Sequence, residues 1–257
     1  MGAAAGVRLN RWLAERGVAS RRKADALIES GAVAINGAPV TELGVRVQPG
    51  DKVTVNGEAV RDVRKLYFAF NKPKGVLCTD DPRENRTRVR DLVEPLVRTR
   101  VYSIGRLDED SEGLLLLTND GDFANLIAHP RYRVPRTYVV KVAGQVTTED
   151  LAGLREGVRL AEGRIVPNRV RVLHKSHDNT TLEVMVREGI NREIRRIFAK
   201  LGHKVRNLKR VRIGPVGLTG VRRGTLRPLR EEEREALVAL AQGGAEERSR
   251  ARPRRRS

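Results

Sequence analysis

Four carboxylates fall within five positions, Asp108, Glu109, Asp110 and Glu112, in the segment RLDEDSEG at 106–113. Acids this close together can bind a cation, or one of them can act as a nucleophile or base. Asp108, Asp110, Glu112 and Gly113 match the opening of a calcium loop, but its ninth position is Leu116 and its twelfth Asn119, where a bidentate glutamate is required. No metal site is expected from this segment. Spacing alone leaves a solvated acidic turn as the alternative to a catalytic carboxylate.

A carboxylate in a cleft closed to water stays ionised only if a cation offsets the desolvation. Arginine suits that task because it keeps its proton and can donate two parallel hydrogen bonds. Arg187 to Arg212 carries ten Lys+Arg against two acids, with Arg192, Arg195 and Arg196 in NREIRR. Each can pair with an acid or meet a phosphate. Tyr138, in RTYVVKV, offers a ring that can stack on a base or fill half of a strand face. His174 and His177 have no third ligand nearby, and Cys78 has no positioned histidine.

These residues need elements to hold them. GLLLLT ahead of Asn119-Asp120-Gly121 reads as a buried strand leaving the acidic loop. LYFAFNKPKGVLCT reads as strands around a Pro-Gly turn, RTYVVKVAG as a strand, and NREIRRIFAKLGH as a helix with Ile194, Ile197, Phe198 and Leu201 inward. Strands and helices mix without regular alternation, which predicts an α+β fold. Upstream, VRLNRWLAERG and a second segment capped by Ser20 read as two short helices, followed by a hairpin at Asn36-Gly37. The expected organisation is a small domain over 7–64, a catalytic domain over 65–241 and a disordered Arg-rich tail over 242–257.

The chain has 257 residues with 51 Lys+Arg against 32 Asp+Glu, a formal charge of +19. Such a balance favours a polyanionic partner, because each neutralised phosphate releases counterions. Arg8, Arg11, Arg16, Arg21, Arg22 and Lys23 face one acid, Glu15, within sixteen positions. Cations at the start of a second helix suit phosphate binding, since free backbone N–H groups add to their charge. No apolar run reaches the roughly 18–20 residues that span a bilayer, and the N-terminus lacks a secretory pattern. A single cysteine excludes an internal disulfide. A cytoplasmic monomer with no membrane partner is expected.

RLNRWLAERGVASRRKADALIESGAVAINGAPV resembles the S4-type (alpha-L) RNA-binding domain over about residues 7–60. GRLDEDSEGLLLLTNDG at 105–121, with NKPKG at 71–75, RTYVVKV at 136–142 and REGINREIRRIF at 187–198 in the same order, resembles the ribosomal RNA pseudouridine synthases of the RsuA/RluB type. The resemblance implies a curved, largely antiparallel mixed sheet with flanking helices and an RNA cleft. It implies a cofactor-free isomerisation of a flipped-out uridine. Asp108 would be the catalytic carboxylate, acting at C1′, on the base or on the C2′ proton. Arg195 would pair with it, and Tyr138 would stack on the base, an interaction worth about 1–3 kcal/mol in other systems. Arg8, Arg11, Arg21, Arg22, Lys23, Arg106, Arg192 and Arg196 would bind RNA. The NREIRR segment points to large-subunit (23S) rRNA or a pre-ribosomal particle as partner. The competing expectation, a non-catalytic RNA-binding assembly or stress protein, accounts for the charge and residues 7–60 but not for the ordered motifs.

Overall fold

The computed structural model describes residues 6–81, 83–190 and 192–251. Contacts divide the chain into one unit of residues 1–66 with 119–121 and a second of 67–118 with 122–257.

In the first unit, β1 (Val7–Arg8) leads into α1 (Leu9–Glu15), and Ser20 starts α2 (Arg21–Glu29) by accepting from Lys23 N at 3.3 Å. Leu9, Leu13, Ala24 and Ile28 recur at helical spacing, so both helices bury one stripe against Val33, Val47 and Val53. β2 (Val33–Ile35) and β3 (Ala38–Val40) form the hairpin expected at Asn36-Gly37, where both residues have positive φ. β4 (Arg46–Val47) pairs with β1, while β5 (Val53–Val55) and β6 (Glu58–Ala59) extend the hairpin sheet. The charged segment before the second unit is anchored to the turn at 119–121. Asn119 accepts from Leu66 N at 2.7 Å and donates to Arg64 O at 2.9 Å, and Lys65 pairs with Asp120 at 2.9 Å.

The second unit begins with β7 (Tyr67–Lys72), α3 (Val89–Val93), β8 (Tyr102–Ile104), β9 (Glu112–Thr118) and α4 (Gly121–Ala128). It continues with β10 (Arg136–Ala143), α5 (Thr148–Glu156), the hairpin β11 (Val158–Leu160) and β12 (Gly163–Ile165), β13 (Arg169–Lys175) and β14 (Asn179–Val186). α6 (Glu193–Lys200), β15 (Val205–Ile213), β16 (Val216–Gly217), β17 (Leu226–Pro228) and α7 (Glu231–Ala251) complete it. One sheet runs in the order β13, β14, β10, β15, β9, β7, β17, with β8 on β9 and β16 on β15. Every pairing in it is antiparallel except β15 with β9. The expected α+β, largely antiparallel mixed sheet is therefore the observed one.

The parallel seam is short, Lys209 opposite Glu112 and Arg210 opposite Gly113. On one side of it, Ile194, Ile197 and Phe198 of α6 pack on Val140, Leu182, Val184 and Leu208. On the other, Phe123 and Ile127 of α4 and Leu237 and Ala241 of α7 pack on Leu114, Leu116 and Ile213. The acidic loop enters β9 at this seam.

Two local expectations change. The second strand expected after the Pro-Gly turn is an isolated bridge of Leu77 with Arg88. The tail expected to be disordered from 242 is helical as far as Ala251, where Ala245, Glu246 and Glu247 are strong helix formers. The remainder of the expected tail, 252–257, lies outside the described residues.

Candidate active site

The turn at 108–111 is closed by Ser111 N donating to Asp108 O at 3.1 Å, and Glu109 O accepts from Gly75 N at 2.8 Å. Beneath it sits Lys72, fully buried at the end of β7. Its Nζ donates to Ser111 O at 2.8 Å and Pro73 O at 3.0 Å. Burial lowers the Lys72 pKa, and the Cys78 thiol with Asp108, Asp110 and Glu109 pushes the other way. A buried cation thus underpins the acidic turn. From β15, Arg210 threads back through the seam, its Nε donating to Leu114 O at 2.7 Å and its Nη1 to Arg106 O at 3.3 Å.

The loop before α6 supplies the cations above the turn. Arg192 has φ +49 and stands outside the helix, which starts at Glu193. Its Nη1 lies 3.3 Å from Asp108 Oδ2, and its Nη2 lies 3.3 Å from Asp110 Oδ2. Arg195, one turn in, reaches Asp110 Oδ1 at 3.1 Å and donates to Asp110 O and Ser111 Oγ. The expected pairing of Arg195 with Asp108 is therefore corrected: Arg192 holds Asp108, and Arg195 holds Asp110. The left-handed residue at 192 is the cause, because it turns that side chain away from the helical row that a continuous NREIRR helix would form. Burial pushes the Asp110 carboxyl up, but the bonds and charges of Arg192 and Arg195 outweigh it and hold the group below the usual carboxylate range.

Asp108 lines a cleft of about 320 Å³ together with Arg106, Tyr138, Arg136, Arg192, Glu193 and Arg210. Tyr138 lies opposite Val184 on β14 and Arg210 on β15, and is partly exposed on the cleft wall. Arg106 is exposed at the cleft mouth. Arg136 donates to Ile127 O and Ala128 O, both at 3.2 Å, closing the end of α4. Burial lowers its pKa, as does the charge of Arg210.

Glu193 was not singled out from the sequence, nor were Lys72, Arg136 and Arg210. It is buried, and its Oε2 accepts from Gly189 N at 3.1 Å and Ile190 N at 3.3 Å. Burial, reinforced by Glu188, pushes its carboxyl up to about 7 against the opposing pull of those amides and Arg136. The available signal was a charged residue one position before the apolar face of an amphipathic helix.

The other expected RNA contacts are dispersed. Arg21, Arg22 and Lys23 are exposed in the first turn of α2, and Arg8 is exposed on β1. Arg11 pairs with Glu15 at 2.7 Å, and Arg196 is held by both carboxylate oxygens of Glu162 at 2.7 Å. Among the described residues no helix is long and apolar enough to cross a membrane.

An aspartate clamped by arginine, in a cleft that an aromatic ring also lines, suits attack on an extruded nucleotide. Comparison with known proteins agrees. Residues 66–200 match the RNA pseudouridylate synthase family, and residues 7–53 match the S4 domain. The chain is 43% identical to ribosomal large subunit pseudouridine synthase B of Bacillus subtilis, over 92% of this chain and 98% of that protein. It is 41% identical to an RNA pseudouridine synthase of Aquifex aeolicus, over 88% and 92%. A crystal structure of a pseudouridylate synthase superposes with a TM-score of 0.64 at 32% identity, covering 90% of this chain and all of that one. The chain belongs to the RNA pseudouridylate synthase family, isomerases that convert uridine into pseudouridine, and carries an S4 domain ahead of its synthase region.

Proposed function

We propose that this chain isomerises one uridine of large-subunit ribosomal RNA, free or in a pre-ribosomal particle, with Asp108 as its catalytic carboxylate. The observation that carries the reading is the Asp108–Arg192 pair at 3.3 Å, set in the cleft that Tyr138 also lines. The bacterial relative named for the large subunit, similar along nearly its whole length, supports the choice of rRNA. In the reaction the N1–C1′ bond breaks, C5 bonds to C1′, the C5 proton leaves and N1 gains one. No electron or group is exchanged with a co-reactant. The arginine clamp holds Asp108 in place while the base enters, and Tyr138 stacks on that base.

Residues 7–64 act as an RNA grip, 65–241 carry the chemistry, and 242–257 add affinity without choosing the uridine. The enzyme works in the cytoplasm as a monomer. Large-subunit rRNA tritiated at uracil C5 tests the reading: the wild type releases tritium and Asp108→Asn releases none while still binding. Mapping pseudouridines in rRNA from a deletion strain identifies the position. Tritium release by the variant within about tenfold of wild type removes Asp108 from the mechanism. A full complement of large-subunit pseudouridines in the deletion strain rejects the substrate.

A further inference from the structure

Asp108 and Glu193 both line the cleft, and among the described residues Asp108 is the one of the two with an arginine partner at ion-pair distance. Glu193 commits Oε2 to two backbone amides, while its buried Oε1 has no hydrogen-bond partner among the described residues. Arg210, which lines the same cleft, has a second such atom of opposite character, Nη2. Glu193 is 4% exposed and Arg210 2% exposed, so neither atom is satisfied by bulk water. A buried acceptor and a buried donor left unsatisfied destabilise the fold, and a functional site is where such a cost is retained. Arg210 also lies opposite Tyr138 in the β10–β15 pairing, so the two residues are neighbours in the sheet that walls the cleft.

We propose that Glu193 Oε1 and Arg210 Nη2 read the imide edge of the extruded uracil, Glu193 accepting from N3–H and Arg210 donating to the neighbouring carbonyl oxygen. This inference rests on the isomerase reading above. Uracil must turn between bond breaking and bond making so that C5 takes the place of N1. A half-turn about the line through N3 and C6 does this: it exchanges N1 with C5 and O2 with O4, and leaves N3–H where it was. An acceptor on that axis keeps its hydrogen bond in both orientations. A donor beside it meets O2 in one orientation and O4 in the other. The pair therefore holds the detached base without opposing its rotation. Cytosine presents a lone pair at N3, which would face the carboxylate, so the same contact selects uridine.

The test uses an oligoribonucleotide spanning the mapped uridine, synthesised with uridine or 3-methyluridine at that position, and the full-length wild type and Glu193→Gln. Glutamine keeps the shape and can still accept from Gly189 and Ile190 while turning an amide donor toward the base. In the wild type, N3-methylation should lower kcat/KM by about 100-fold or more, because the site loses the donor it is built for. In Glu193→Gln, uridine itself should be slowed about as much, and N3-methylation should add less than about threefold. If turnover of the variant is too slow, the same ratio is read from the affinities of the two RNAs. A methylation penalty equal in both proteins overturns the proposal and leaves Glu193 as a shaper of the 189–192 loop. A wild type inactive on the unmodified oligonucleotide points instead to failure of the substrate reading.

Discussion

Arg192 and Arg195, one turn apart, hold Asp108 and Asp110 respectively, and the two pairs do different work. Arg192 is 45% exposed and bridges the two acids, whereas Arg195 is 13% exposed and also bonds the backbone of the turn. Arg192→Ala should lower tritium release by about 100-fold with little change in thermal stability, since it removes one preorganised donor from Asp108, the proposed catalytic carboxylate. Arg192→Lys should recover only part, having the charge without the fork. Arg195→Ala should instead destabilise the protein by about 2–3 kcal/mol, because it strips the turn of a buried partner. Stability loss confined to Arg192→Ala, with Arg195→Ala stable but inactive, would reverse these roles.

Glu193 makes stability depend on pH with an unusual sign. Its folded-state pKa, about 7, lies above the ordinary 4.5, so between those values the folded chain keeps a proton that the unfolded chain has released. Its contribution is therefore fully present below about 4.5 and is lost as pH rises through 7. The facing groups are Glu188, which adds to the shift, and Arg136 and the loop amides, which oppose it. Glu193→Gln should be more stable than wild type at pH 8, by up to ~3 kcal/mol, and nearly equal to it at pH 4.5. Urea unfolding at the two pH values reads this directly. A variant no more stable at pH 8 than at pH 4.5, relative to wild type, would sink it. Gain of stability with loss of rate is the trade expected where a charge is buried for function.

Gly113 sits at the parallel seam with φ +107, and a Cβ there would lie 2.2 Å from Arg210 O. Neither the backbone angle nor the space admits a side chain. Gly113→Ala should cost at least ~2 kcal/mol and move the acidic turn, since Arg210 straps Leu114 and Arg106 from the other side of the same contact. Thermal unfolding and tritium release should fall together. A variant with wild-type stability would show that the seam can open without cost.

Local chemistry was readable in the sequence wherever a residue's partner lies nearby. Ser20 caps its own helix, Asn36-Gly37 closes its own hairpin, and the alternation through 136–142 marks a strand. The acidic loop and Tyr138 were visible as motifs and meet in one cleft. What failed to show was long-range satisfaction of buried charge. Arg210 bonds carbonyls 96 and 104 residues away, and Lys72 bonds one 39 residues away. Periodicity assigns such a residue to a face but cannot name the backbone oxygen it meets. The Arg192–Asp108 pair was hidden by one left-handed residue, which a run of helix formers gave no reason to expect.

Arg21, Arg22 and Lys23 all lie exposed in the first turn of α2, where the helix dipole already presents positive charge. For the free protein this placement is unfavourable, and an incoming phosphate turns it to advantage because cations, free N–H groups and dipole then act together. Replacing the three with alanine should leave Ser20 capping the helix and should slightly stabilise the free domain. RNA binding should weaken, and the slope of log affinity against log salt should become shallower by about 2–3, as expected for three lost phosphate contacts. The modified uridine should not change, since phosphate contacts position a protein without reading bases. Binding isotherms across a salt series, with sequencing of the product, test both halves. An unchanged slope would show that this helix does not face the RNA. A shifted modification site would show that these cations select the target as well as hold it.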